Sequence, residues 1–137
     1  MKDIEPYYYY PAKLQLAWAY HYNETHYGEK HAERYVEKMR QAIKEKQDSG
    51  EHKSFSQYIK TNPKTKAARI VIDKVYFFRW VEKPNQKRGY TIFYRKMSGG
   101  NIGVIGVLQD GADFPNCLSV NIDQVIPEII RDIKKFP

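Results

Sequence analysis

Arg79, Arg88, Arg95 and Lys96 stand in the second half of the chain, on or beside segments with the pattern of a β-meander. A guanidinium presents its N–H groups as a planar fork that matches two phosphate oxygens at once, so this set suits a phosphate backbone. The same charges along strand edges also keep sheets from pairing with one another, and spacing alone does not separate the two roles. Lys83, Lys87 and Arg88 add charge in an intervening turn, "KPNQKRG". Downstream, "VIGVLQDGADFP" reads as a strand that stops abruptly, delivering Gln109, Asp110 and Asp113 to the edge of a basic sheet. Cleaving RNA through its own 2′-hydroxyl needs a base for that proton, cations for the crowded phosphate and an acid for the leaving oxygen. Gln109 hydrogen-bonds but moves no proton near neutral pH. Asp110 or Asp113 can serve as base, although a carboxylate at such a turn more commonly caps it. All four histidines, His21, His26, His31 and His52, precede residue 53. The proton-transfer work at the sheet therefore falls to Tyr90, Tyr94, Lys87 and Lys96.

Other constellations are weaker. His21, His26 and His31 are spaced by five, which on a continuous helix turns successive side chains about 140° apart, and Gly28 interrupts the helix. With no Cys-x-x-Cys or His-x-x-x-His pattern, no metal site and no cofactor is expected. Cys117 is the single cysteine, with no local base to make it a nucleophile, and it fits a reducing compartment. The "SGGN" stretch lacks the Gly-Lys-Ser/Thr ending of a phosphate loop and reads as a hairpin turn. The four tyrosines of "YYYY" either stack on bases or pack as an aromatic strand on helices.

Positioning these residues takes one domain of 137 residues. The first strand runs over 4–10, and Pro11 opens a helix whose expected inner face is Leu14, Ala17, Trp18 and His21 or Tyr22. After Gly28 a second helix carries the stripe Ala32, Tyr35, Val36, Met39, Ala42 and Ile43 and ends at Asp48-Ser49-Gly50, giving an antiparallel hairpin. Residues 48–68 form a basic connector with one helical turn around Phe55–Ile59. Three strands follow, in "RIVIDKVYFFRWVE", "YTIFYRKM" and "IGVIGVLQ". The last lies inside the sheet, with Gly103 and Gly106 admitting close neighbours. A short helix starting near Pro127 closes the chain, its apolar side made of Ile126, Ile129, Ile130 and Ile133. The class is α+β: an N-terminal strand and helix hairpin, packed with the helices on one face of an antiparallel meander. The charge of +7 favours acidic partners. No apolar run approaches the ~20 residues of a membrane span and no secretory leader is visible, so the expected location is cytoplasmic, without a membrane partner.

Two segments, 7–39 and 90–118, resemble the RelE/ParE superfamily of type II toxins. In the first, the aromatic strand, the Pro11 helix start and Gly28-x-x-x-Ala32-x-x-Tyr35 match the family's opening. In the second, Tyr94-Arg95, the hairpin turn and the aliphatic strand running into Gln109, Asp113 and Leu118 match its strand ending and Leu-His-x-x-x-Asp segment. Gln109 stands where the family often has histidine, and the 48–68 connector and 119–137 extension lengthen the chain. The resemblance implies a growth-arresting, ParE-like toxin that binds a macromolecular target and is neutralised by an acidic antitoxin docking on a sheet edge or on the helix pair. DNA gyrase and ribosome-bound mRNA are the targets it implies, with Arg79, Lys83, Lys87, Arg88, Arg95, Gln109, Asp113 and Phe114 as binding residues. The alternative is a RelE-like, ribosome-dependent mRNA endonuclease using Arg95, Lys96 and Tyr94, and a third reading is a family member kept as a binding module. Gln109 inclines the sequence reading to binding over cleavage.

Overall fold

A computed structural model describes residues 4–55, 75–83, 88–112 and 114–135. The strands are β1 (Tyr7–Tyr8), β2 (Lys53–Ser54), β3 (Tyr76–Trp80), β4 (Tyr90–Lys96) and β5 (Ile102–Gln109), and the helices are α1 (Tyr10–Tyr27), α2 (Glu29–Ser49) and α3 (Phe114–Lys135). The sheet order is β1-β5-β4-β3-β2, with β1 parallel to β5 and every other pair antiparallel. The α+β class holds, with β5 inside the sheet as its two apolar faces require.

Side-chain alternation divides the core in two. From β3 and β4, Tyr76, Phe78, Trp80, Tyr90, Ile92 and Tyr94 pack with α1 and α2, whereas Val75, Phe77 and Phe93 pack with α3. Successive residues of a strand point to opposite faces, so the two helix groups lie on opposite sides of the sheet. This corrects the expectation of helices on one face. The closing helix also begins at Phe114 and not near Pro127, which lies inside it. Proline 127 is on the exposed side, and so is Asp123, whose carbonyl loses its helical donor. That carbonyl lies on the solvent side, so the lost bond is not a buried one and the proline marks no boundary.

The partner of Phe93 is Gly106 and that of Tyr94 is Val104, which leaves Ile105 as an extra residue in β5. Before this bulge Ile102 and Val104 face the helix hairpin; after it Val107 does, while Ile105 and Leu108 face α3. One inserted residue has swapped the phase of the strand.

The second correction concerns α1. Its buried residues are Pro11, Ala12, Leu16, Ala19 and Asn23, while Leu14, Trp18 and Tyr22 point to solvent. Apolar residues surround this helix, so periodicity does not select a face. Packing does: Ala12 and Ala19 bring the backbone close to the sheet and α2, which a face of Trp and Tyr does not allow. In α2 the expected stripe is buried at Ala32, Tyr35, Met39 and Ile43 and continues to Gln47. Gly28, at φ 93°, donates to the Glu24 carbonyl at 3.0 Å and accepts from the Ala32 N–H at 3.1 Å, closing α1 and opening α2 at one residue. Gly50 ends α2 in the left-handed region at φ 74°.

Within the expected connector, Lys53 and Ser54 pair with Phe77 and Tyr76 as an edge strand. Phe55 follows it and packs on Phe77 and Phe93, and the helical turn expected at 55–59 otherwise lies outside the described residues. The 98–101 turn is a hairpin turn, with the Met97 N–H on the Asn101 carbonyl at 2.9 Å.

Because β1 is only two residues long, β5 has a bare edge beyond Val104. Two amides cover it. Gln15 Oε1 accepts the Val107 N–H at 2.7 Å, and Asn121 Nδ2 donates to the Ile105 carbonyl at 3.2 Å. Gln15 and Asn121 also bond to each other in both directions at 3.1 Å, tying α1 to α3 around the strand. A Cβ on Gly106 would lie 2.5 Å from Asn121 Nδ2, and one on Gly103 2.7 Å from the Tyr9 ring. Both glycines admit close neighbours, as expected.

Candidate functional site

The C-terminal end of β5, the start of β4 and the α1–α2 junction converge on a cleft of about 520 Å³. Gln109 enters it from β5, on the hairpin face that the bulge assigns it. Tyr22, Asn23 and Tyr27 come from α1, His31 and Tyr35 from α2, and Glu82, Lys83, Arg88 and Tyr90 from the β3–β4 connection and the strand after it. The wall is rich in rings. Tyr22 stacks on His26 at 4.2 Å, Tyr27 approaches His31 at 4.9 Å, and His31 lies over Tyr35 at 6.1 Å. Tyr35 meets Trp80 edge-on at 5.1 Å, anchoring this series of rings in the core. Burial drives the Tyr35 phenol well above its ordinary pKa, helped by the charges of Tyr90 and Glu82, so it stays protonated at neutral pH. Burial raises Tyr90 too.

Four polar groups give the cleft its chemistry. Lys83 and Arg88 are exposed at its rim, and no described residue pairs with either. The Glu82 side chain is only 8% exposed, with Lys38 Nζ at 3.9 Å as its ion partner. The Glu82 carboxylate and the His31 imidazole, half-buried on the same wall, are side chains of the two types most used to move protons. The fold thus carries a histidine from the first half of the chain to the sheet's end, against the expectation that no histidine reaches it. Sequence reading missed Glu82 as well; it is one acid among charged neighbours, and only the depth of its side chain distinguishes it. His31 had a weak signal, standing midway between Tyr27 and Tyr35 at helical spacing.

The expected site residues divide into groups. Gln109, Lys83 and Arg88 meet in the cleft. Arg79 is on β3 and spends its guanidinium on Asp110, with Nη2 at 2.5 Å from Oδ2. Asp110 also accepts the Gly89 N–H at 2.9 Å and returns its own N–H to the Gly89 carbonyl at 3.0 Å. The Arg79 hydrogen bond, with that of the Gly89 amide, holds the Asp110 carboxyl below its ordinary pKa. Asp110 therefore ties the end of β5 to Arg79 on β3 and to Gly89 just before β4. Gly89 is required there, since a Cβ would lie 2.2 Å from the Trp80 carbonyl oxygen.

Arg95, Lys96 and Tyr94 lie at the other end of β4, away from this cleft. Arg95 Nη1 donates to the Tyr9 hydroxyl at 3.2 Å, and Lys96 Nζ sits over the Tyr76 ring at 5.1 Å. Tyr94 is fully buried, with its hydroxyl 2.5 Å from His52 Nδ1. Burial raises the Tyr94 phenol far above its ordinary value and lowers His52, which Lys96 and Lys46 lower further. Which of the two donates in that bond follows from the His52 tautomer. Lys87 and Asp113 lie outside the described residues, and Phe114 is the first residue of α3. Among the described residues no group of three His, Cys, Asp or Glu side chains is placed to hold a metal, and no helix is long and apolar enough to cross a membrane.

Comparison of the chain with protein-family models, with curated proteins and with solved structures finds no match.

Proposed function

We propose that this protein is a toxin of the RelE/ParE kind that engages single-stranded RNA in the cleft at the end of β5 and is silenced by an acidic antitoxin. The observation that carries the reading is the joining of rings and unpaired cations in one open cleft. Tyr22, Tyr27 and His31 offer faces on which bases stack, and Lys83 and Arg88 stand at the rim where a phosphate backbone passes. A gyrase-binding role draws on no comparable feature of the cleft. The net charge of +7 supports both an RNA target and an acidic neutralising segment.

Glu82 and His31 extend the reading to cleavage. Glu82 takes the proton of a 2′-hydroxyl, whose oxygen attacks the adjacent phosphorus. Arg88 and Lys83 hold the phosphate oxygens, and protonated His31 gives its proton to the departing 5′-oxygen. The products are a 2′,3′-cyclic phosphate and a 5′-hydroxyl end. Gln109, a hydrogen-bonding group without a transferable proton, orients the strand in this scheme. It is also the residue that favours a second reading, binding without cleavage.

Primer extension on ribosome-bound mRNA, run beside a supercoiling assay with purified gyrase, separates these. Defined cuts that are lost in Glu82→Gln and His31→Ala support cleavage in the cleft. Binding to RNA without cuts supports the second reading. Inhibition of gyrase with no affinity for RNA would sink both.

A further inference from the structure

We propose that this protein pairs with a second copy of itself through the outer face of α1. Tyr10, Leu14, Trp18 and Tyr22 follow one another at four-residue intervals on that face and are 64%, 42%, 70% and 44% exposed. They are half of the exposed large apolar side chains among the described residues. α1 thus carries apolar side chains on two opposite faces, and the inner one, Ala12, Leu16, Ala19 and Asn23, is already buried. An exposed apolar stripe of this kind marks an association surface.

Charge selects the partner. The stretch 14–29 contains no Lys or Arg in a chain that carries 23 of them. Within α1 an acidic partner, protein or nucleic acid, finds one Lys or Arg, Lys13. Two copies of a protein of charge +7 repel one another least on a face with so little of that charge. The flanks of the stripe are also self-complementary. On a helical projection Lys13 and Glu24 fall on the same flank, at equal distances from a midpoint between Trp18 and Ala19. Both are exposed and neither has an ion partner among the described residues. In an isologous pair a two-fold axis at that midpoint sets the helices antiparallel and brings Lys13 of each copy beside Glu24 of the other, with Trp18 against its mate. This association does not depend on the RNA reading, but it shares Tyr22 with the cleft, so pairing and RNA compete for that ring.

Sedimentation equilibrium of the full chain at about 5–100 µM tests it. The wild type is expected to sediment as a dimer, and Trp18→Glu to raise the dimer dissociation constant more than about tenfold. Lys13→Glu alone and Glu24→Lys alone each weaken the dimer, and the exchange Lys13→Glu with Glu24→Lys returns it to within about threefold of wild type. The substituted side chains are exposed, and circular dichroism together with Trp80 fluorescence verifies that each variant is folded. A wild-type monomer throughout that range overturns the proposal. So does a dimer indifferent to Trp18→Glu, or a charge exchange that fails to restore pairing.

Discussion

Replacing Gln15 by alanine is expected to destabilise the protein by about 2–3 kcal/mol, although Gln15 is only half-buried and belongs to no cluster of apolar residues. The magnitude follows from what its amide does. Oε1 accepts the Val107 N–H at 2.7 Å and the Asn121 amide at 3.1 Å, and Nε2 donates to Asn121 at 3.1 Å. Truncation strands the backbone N–H of Val107, a residue 2% exposed, and an unsatisfied buried donor costs about 1–3 kcal/mol. The mutual amide pair adds about 1 kcal/mol net, since Asn121 keeps its bond to the Ile105 carbonyl. Against a total stability of roughly 5–15 kcal/mol this is a large fraction. Urea unfolding followed by tryptophan fluorescence measures it, with Asn121→Ala and the double variant completing a cycle. A coupling of about 1 kcal/mol or more between the two sites is expected. If Gln15→Ala costs less than about 0.5 kcal/mol, or if the two effects add without coupling, the view that these amides substitute for a missing strand is wrong.

Asp110→Asn weakens the Arg79 contact and the tie to Gly89, and lowers stability only slightly because solvent screens the half-exposed guanidinium. Because the folded-state pKa of Asp110 is depressed, its contribution is present above the ordinary carboxylate range and is lost as pH falls through the folded value; acid titration of wild type and variant, compared by circular dichroism, displays the difference. His52 also has a lowered pKa, so the unfolded chain binds its proton first and stability falls as pH drops below the ordinary imidazole value. Denaturation of His52→Phe between about pH 8 and pH 5 is expected to lack that part of the slope. Gly106→Ala forces a Cβ toward Asn121 and costs about 1–3 kcal/mol by overpacking, measurable as a lowered urea midpoint, whereas Gly111→Ala meets no neighbour and is opposed only by its φ of 91°. In the cleft, Glu82→Gln and His31→Ala are each expected to slow RNA cleavage by about 10²-fold or more without unfolding the protein, with primer extension as the readout.

Much of the fold was legible because local chemistry pointed one way. Pro11, Gly28 and Gly50 punctuate the helices, and the alternation of Val75 and Phe77 with Tyr76, Phe78 and Trp80 gave the two faces of β3. The glycines at 103 and 106 announced close neighbours. What was hidden depended on partners distant in sequence. The buried face of α1 is decided by how closely alanines approach the sheet, and a pattern with apolar residues on every side contains no such preference. The long α3 was obscured by a proline whose cost vanishes on a solvent-facing turn. Half of the cleft was visible as Gln109, Lys83 and Arg88. The other half, His31 and Glu82, arrives through the turn at Gly28 and through burial, neither of which a linear spacing encodes.

The bulge at Ile105 separates what anchors β5 from what the strand delivers at its end. Val104 pairs with Tyr94 and Gly106 with Phe93, so the residues on either side of Ile105 keep the facing of their partners on β4, and Ile105 alone stands outside that pairing. Removing Ile105 would therefore leave Val107 and Gln109 toward the hairpin and Leu108 toward α3. The deletion would instead take an apolar side chain from the α3 core and the carbonyl to which Asn121 donates. Gln109 would stay in the cleft while the tie between β5 and α3 is cut, so the scaffold and the site can be perturbed separately.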